Sequence, residues 1–120
     1  MHYQVTFEYD RADFTPPTVG DWPGLVGLLR EYPQAKATLV GHTDSNGSTR
    51  YNLELSLRRA EAVARALVVA GVGREQLRVY GEGESSPVAS NATPAGRAQN
   101  RRVELIIDEF EYHQEAVTND

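Results

Sequence analysis

Asp44 is followed along the chain by Asn52, Ser56 and Arg59, and the last three are spaced i, i+4 and i+7. At 3.6 residues per turn that spacing puts all three on one face of a helix. The apolar run Ala37-Thr38-Leu39-Val40 and the polar stretch Gly41-His42-Thr43-Asp44-Ser45-Asn46-Gly47 precede them. This order reads as a buried strand, a turn and then a helix. Asp44 would project from the rim of a sheet, with a guanidinium and two neutral polar groups converging on it. An acid and an arginine facing one cleft suit a zwitterion: the carboxylate accepts from an ammonium and the guanidinium forks onto a carboxylate. Both charges are expected at the rim and outside the hydrophobic core, so replacing either should spare stability.

Other chemistries fit the residues less well. Ser48 and Ser56 have no histidine at a credible second station, and no G-x-S-x-G elbow occurs. The histidines are His2, His42 and His113, with no H-x-x-x-H spacing and no cysteine, so no metal site is expected. His42 reads as a structural histidine that holds the turn. A phosphate loop of the G-x-x-x-x-G-K-[ST] form is missing, and no cofactor is expected. Asp10 and Asp44 could be neighbours at one rim, which leaves paired-carboxylate chemistry open on spacing alone. Arg59 beside Asp44 suits binding better than proton transfer, and an enzyme is not expected.

The elements that must position these groups follow from periodicity. Tyr3, Val5, Phe7 and Tyr9 alternate with polar residues and read as a half-buried strand that delivers Asp10 to a turn. Pro16, Pro17, Gly20, Pro23 and Gly24 delay the first helix, with Asp21 as its N-cap and Pro23 in its first turn. That helix should bury Trp22, Leu25, Val26, Leu28 and Leu29 and stop before Pro33; Trp22 reads as core in preference to a sugar-stacking platform. The second helix starts near Ser48 or Thr49. It is expected to turn Leu53, Leu57, Ala60, Ala64, Leu67 and Val68 to the sheet and to end at Gly71 and Gly73. Of the adjacent pair Arg58 and Arg59, only one can face a ligand, and the i+7 relation to Asn52 selects Arg59. A short strand over Leu77-Arg78-Val79-Tyr80-Gly81, a polar connection with a capped turn at Thr93-Pro94, and a last strand over Val103–Ile107 complete the order. Arg101 and Arg102, taken alone, read as a solvated face. The sum is an α/β two-layer sandwich: strand–helix–strand–helix–strand–loop–strand, a mixed four-stranded sheet with helices on one face.

Three blocks of this sequence, Gly41-His42-Thr43-Asp44, Tyr51-Asn52-x-x-Leu55-Ser56-x-x-Arg59-Ala60 and Asn100-Arg101-Arg102-Val103-Glu104, resemble the signature of the OmpA C-terminal-like domain family. The resemblance runs from about Val5 to Asp108. It implies non-covalent binding of peptidoglycan in the periplasm, through the meso-diaminopimelate of the peptide stem. That residue ends in a carbon bearing both an ammonium and a carboxylate. On this reading Asp44 takes the ammonium and Arg59 the carboxylate, with Asn52, Thr43 and the Leu55 backbone completing the lining. Asp10 either borders the ligand, as the resemblance implies, or is a solvated turn aspartate. Arg101 either touches the bound peptide or stays on the surface.

A chain of 120 residues with 40% hydrophobic and 24% charged residues is one domain's worth. We place the domain at residues 1–108 and an acidic, partly disordered extension at 109–120. The net charge of −5 argues against nucleic acid, which calls for a basic surface. No apolar run nears the ~18 residues of a membrane span, so direct membrane insertion is not expected. The sequence shows no basic-plus-apolar leader and no cysteine for a lipid anchor. It therefore reads as part of a longer envelope protein attached to the outer or inner membrane through another region. A homodimer or an envelope protein partner stays open. The competing reading is a protein–protein adaptor of a motor or secretion complex that has lost wall binding, and a wall-cleaving enzyme stands third.

Overall fold

Alternation of apolar and polar side chains builds the first edge of the sheet. A computed structural model describes residues 2–13 and 21–108; the proline-rich approach to the first helix and the acidic extension at 109–120 lie outside them. Strand β1 spans His2–Thr6, helix α1 Trp22–Glu31, β2 Ala37–Gly41, α2 Thr49–Val69, β3 Leu77–Gly81, α3 Pro94–Asn100 and β4 Arg102–Ile107. The sheet order is β1-β4-β2-β3. Strand β4 is antiparallel to both β1 and β2, whereas β2 and β3 run parallel. A parallel pair needs a crossover, and α2 supplies it.

One face of the sheet carries the core. Val5 stands opposite Val103, and Leu39 opposite Leu105; all four are buried against Leu25 and Leu29 of α1 and Val63 and Leu67 of α2. Each such side chain contributes ~1.5–3 kcal/mol relative to leaving it in water. The alternate residues Arg78 and Tyr80 lie on the other, open face, where Tyr80 is 54% exposed. Trp22 packs against the core, as its leucine neighbours imply.

Helix ends follow the local chemistry. The Asp21 carboxylate accepts from the Gly24 amide at 3.2 Å, and Pro23 sits in the first turn. Ser48 caps α2 through Tyr51 N at 3.1 Å. At its other end Gly71 takes φ +106°, its amide donates to Val68 O, and Val72 N donates to Leu67 O. That pair of bonds is a Schellman closure, which places Gly71 where a left-handed residue is needed. Thr93-Pro94, expected as a single capped turn, opens a full helix to Asn100.

The face of α2 differs from the expectation. Leu53, Leu57 and Val68 are 46%, 39% and 39% exposed, while Asn52, Leu55, Ser56, Arg59, Ala60, Val63, Ala64 and Leu67 are buried. The polar trio Asn52, Ser56 and Arg59 therefore continues the buried stripe instead of standing apart from it. Close approach of backbones decides this. A Cβ on Gly41 would come within 1.8 Å of Ser56 O, and one on Gly81 within 2.6 Å of Ser56 Oγ. The glycines let β2 and β3 touch α2 along the serine face, which rolls the leucines outward.

Candidate functional site

Four segments meet at the end of β2: the β1–α1 turn, the β2–α2 turn, the first turns of α2, and the α3–β4 junction. They enclose a cavity of about 40 Å³ lined by Tyr9, Asp10, Thr43, Asp44, Asn46, Gly47, Tyr51, Asn52, Leu55, Arg59 and Arg101. Every residue selected from the sequence (Asp44, Arg59, Asn52, Asp10, Arg101, Thr43 and Leu55) lies on this wall. Tyr9, Asn46, Gly47 and Tyr51 were not selected. Tyr51 had a signal, since it directly precedes Asn52 in the first turn of α2.

The β2–α2 turn is fixed from within. Asn46 N donates to Asp44 Oδ1 at 3.0 Å, closing an Asx turn. The Thr43 hydroxyl donates to Asp44 O at 2.8 Å, and Gly47 has φ +95°. The Thr43 amide donates to Gly83 O at 2.8 Å, which ties this turn to the loop after β3.

The charge pairing departs from the sequence reading. Asp44 is 3% exposed and Arg59 0% exposed, so neither is a rim group outside the packed interior. The guanidinium that reaches Asp44 belongs to Arg101, with Nη1 donating to Oδ2 at 3.1 Å while Nε donates to Phe7 O at 2.9 Å. Arg101 is therefore not on a solvated face. Arg59 spends its nitrogens on three carbonyls: Nε to Arg11 O at 2.7 Å, Nη1 to His42 O at 2.9 Å, and Nη2 to Glu8 O at 3.2 Å. Its central carbon lies over the Phe7 ring, 5.4 Å from the ring centre. Burial and then the neighbouring Arg101 charge push the Arg59 guanidinium down to about 10, so it is still a cation at neutral pH. A guanidinium has five N–H groups, so Arg59 keeps one on each Nη beyond those bonds.

At the mouth, Asp10 adopts φ +57° and accepts from the Tyr51 hydroxyl. That bond raises the Tyr51 phenol above its usual range. Asp10 is thus held at the cavity. Glu8 contributes its carbonyl to Arg59.

Two neighbours correct the sequence reading further. His42 is 3% exposed, yet neither ring nitrogen has a hydrogen-bond partner among the described residues. Its backbone does the holding, with its amide donating to Arg102 O and its carbonyl accepting from Arg59. The ring lies 3.9 Å from Glu82 and 3.7 Å from Glu104. Burial, then Arg102, lower its pKa against the opposing pull of the two glutamates. Arg102, expected in solvent, is 2% exposed and donates to Glu104 Oε2 at 2.9 Å, Ser86 O at 2.9 Å and Asn100 O at 3.3 Å. Among the described residues no helix is long and apolar enough to cross a membrane, and no group of His, Cys, Asp and Glu is placed to hold a metal ion.

The fold and site together define an α/β sandwich with a charged cleft where β2 meets α2. A model of the OmpA family matches residues 6–101, and this chain belongs to that family. It is 44% identical over 108 residues to outer membrane porin F of Pseudomonas fluorescens, covering 90% of this chain and 33% of that protein. It is 39% identical over 104 residues to the peptidoglycan-binding protein ArfA of Mycobacterium tuberculosis, covering 87% of this chain and 32% of that one. The chain thus spans about a third of these curated relatives. The crystal structure of the peptidoglycan-associated lipoprotein from Burkholderia pseudomallei matches with a TM-score of 0.79 at 34% identity, over 88% of this chain and 90% of that one.

Proposed function

We propose that this domain binds peptidoglycan non-covalently through the meso-diaminopimelate of the peptide stem and so anchors a larger envelope protein to the wall in the periplasm. The observation that carries the reading is the cavity of about 40 Å³, room for one charged head group, with Asp44 and Asp10 beside Arg59 and Arg101 on its wall. Two anions and two cations match a ligand end that carries one charge of each sign. Family membership and the printed names of two relatives, one peptidoglycan-binding and one peptidoglycan-associated, support the ligand class.

Each Asp44 oxygen accepts one protein donor and has a second lone pair for an ammonium. The spare N–H groups of Arg59 then serve the carboxylate. Charge-assisted bonds contribute ~1.5–3 kcal/mol each. Set against the cost of immobilising the ligand, two or three of them give roughly micromolar to millimolar affinity for a single stem peptide. Attachment to a polymeric wall gains from repetition.

Pelleting with purified sacculi, followed by calorimetric titration with two stem peptides, tests this. Wild type is expected to pellet, and Asp44→Asn to stay in the supernatant while still folded. A peptide with lysine in place of diaminopimelate loses the carboxylate and is expected to bind about tenfold more weakly, the ~1.4 kcal/mol of one unmet charged contact. Wild type that fails to pellet refutes wall binding and leaves the adaptor role. Equal affinity for the two peptides refutes the diaminopimelate assignment.

A further inference from the structure

Asn52 is 1% exposed, and its amide nitrogen donates twice, to Asp44 O at 3.3 Å and to Glu84 Oε1 at 2.7 Å. A backbone carbonyl and a carboxylate have no proton to give, so only the nitrogen of the amide can face them. That fixes the flip of the side chain, which spacing alone would leave undecided. The amide oxygen is then turned the other way. It is the nearer end of the amide to Gly47, 3.5 Å from where a Cβ on that residue would stand against 4.0 Å for the nitrogen. Gly47 and Asn52 line the cavity, whereas Glu84 does not.

Glu84 is itself well held. It follows Gly83, whose φ is +61°, whose amide donates to Ser56 Oγ at 2.9 Å and whose carbonyl accepts from Thr43 N at 2.8 Å. The loop is pinned on one side to α2 and on the other to the turn that carries Asp44. The Glu84 carboxylate therefore meets Asn52 from a fixed position.

We propose that Glu84 is a specificity-determining positioning residue that acts through Asn52. By drawing the amide nitrogen outward, it presents the Asn52 oxygen to the cavity as a third acceptor beside Asp44 and Asp10. Three acceptors match the three N–H groups of a primary ammonium. Glu84 thus selects for a ligand end bearing an ammonium without touching the ligand. Without it, the amide nitrogen keeps only its longer bond to Asp44 O at 3.3 Å, and the flip that turns the nitrogen inward, where two donors would oppose each other, becomes less costly. This inference rests on the function proposed above.

The test is calorimetric titration of wild type, Glu84→Met and Glu84→Gln with two stem peptides. One peptide ends in meso-diaminopimelate; in the other, 2-aminopimelate keeps the terminal carboxylate but lacks the ammonium. Methionine keeps the bulk of the side chain and removes the acceptor, whereas the oxygen of glutamine still accepts. Glu84→Met is expected to weaken binding of the diaminopimelate peptide about tenfold, ~1.4 kcal/mol, the scale of one hydrogen bond to a charged group. Its affinity for the 2-aminopimelate peptide should stay within about twofold of wild type, and Glu84→Gln should restore the diaminopimelate affinity to within about threefold. Unchanged binding by Glu84→Met overturns the proposal. So does an equal loss for both peptides, which would mark Glu84 as a loop scaffold, or failure of Glu84→Gln to rescue. Wild type that binds neither peptide overturns the function itself, a result distinct from all three.

Discussion

Replacing Arg59 with alanine removes a cation that is 0% exposed and bonded to the carbonyls of Glu8, Arg11 and His42. Those carbonyls belong to the β1–α1 turn and to the end of β2, so one side chain ties two separate parts of the chain to α2. At ~1.5–3 kcal/mol for each bond from a charged donor, the gross loss is ~5–9 kcal/mol. Burial of the charge offsets part of this, as the displacement of the guanidinium to about 10 indicates. Water can also reach the freed carbonyls of the exposed residues Glu8 and Arg11. Taking these offsets from the gross loss leaves a net destabilisation of ~3–5 kcal/mol. At ~4 °C or more per kcal/mol, the melting temperature falls by at least ~12 °C. Asp44→Asn breaks the mostly buried ion pair with Arg101, whose side chains are 4% and 16% exposed; because the amide oxygen of asparagine still accepts, the cost is held to ~3 kcal/mol, the low end for losing one partner of a buried pair. Thermal melts followed by circular dichroism and by the fluorescence of Trp22, the sole tryptophan, give both values. A melting temperature for Arg59→Ala within about 3 °C of wild type would refute the reasoning, because one buried and two part-buried bonds from a charged donor cannot be lost at that little cost.

Two further outcomes follow from the packing around the site. Since burial lowers the His42 pKa, the native state resists a proton that the unfolded chain accepts at ~6.5. The unfolded state then binds more protons as pH falls below ~6.5, and stability declines until the lower native value is passed; urea midpoints at pH 7.5 and 5.5 should show this slope in wild type, reduced in His42→Gln, and equal slopes would be contrary. Gly41→Ala places a Cβ 1.8 Å from Ser56 O, so strand and helix must separate; the expected cost is ~3 kcal/mol or more in urea denaturation, and a loss under ~1 kcal/mol would contradict the close approach.

Much of the fold was legible because the signals were local. Asp21 and Pro23 marked the start of α1, and Gly71 marked the end of α2, through caps that involve only neighbouring residues. The buried face of α2 was only partly legible. Leu53 and Leu57 share one apolar stripe with Ala60 and Ala64, but the buried arc is rotated toward Ser56 and Val63, and that rotation is set by Gly41 and Gly81 on other elements. The cavity residues were found because their types and spacing carry chemistry, but their partners were not. Arg101 meets Asp44 only because β4 lies beside β2 in the order β1-β4-β2-β3. Arg102 offered a faint clue, since Glu104 two residues on shares its face of the strand, but the carbonyls of Ser86 and Asn100 that complete its bonding come from the folded loop. Glu84 carried no signal until its distance to Asn52 was known.

Both cations of the cleft are tied by backbone on one side and face the cavity on the other. Arg59 donates to three carbonyls and Arg101 to that of Phe7, so neither guanidinium needs to be ordered when a ligand arrives. Under the proposed function this arrangement reduces the rotamer entropy lost on binding, ~0.5–1.5 kcal/mol for each long side chain. It also divides the attraction, because Asp44 already shares its charge with Arg101. A ligand ammonium must therefore add to an existing pair; it does not meet a bare carboxylate. Less ordering cost together with a weaker pull favours modest affinity at each stem peptide. For a wall anchor that balance is suitable, since linked sites on a polymer can hold by number while each contact stays reversible.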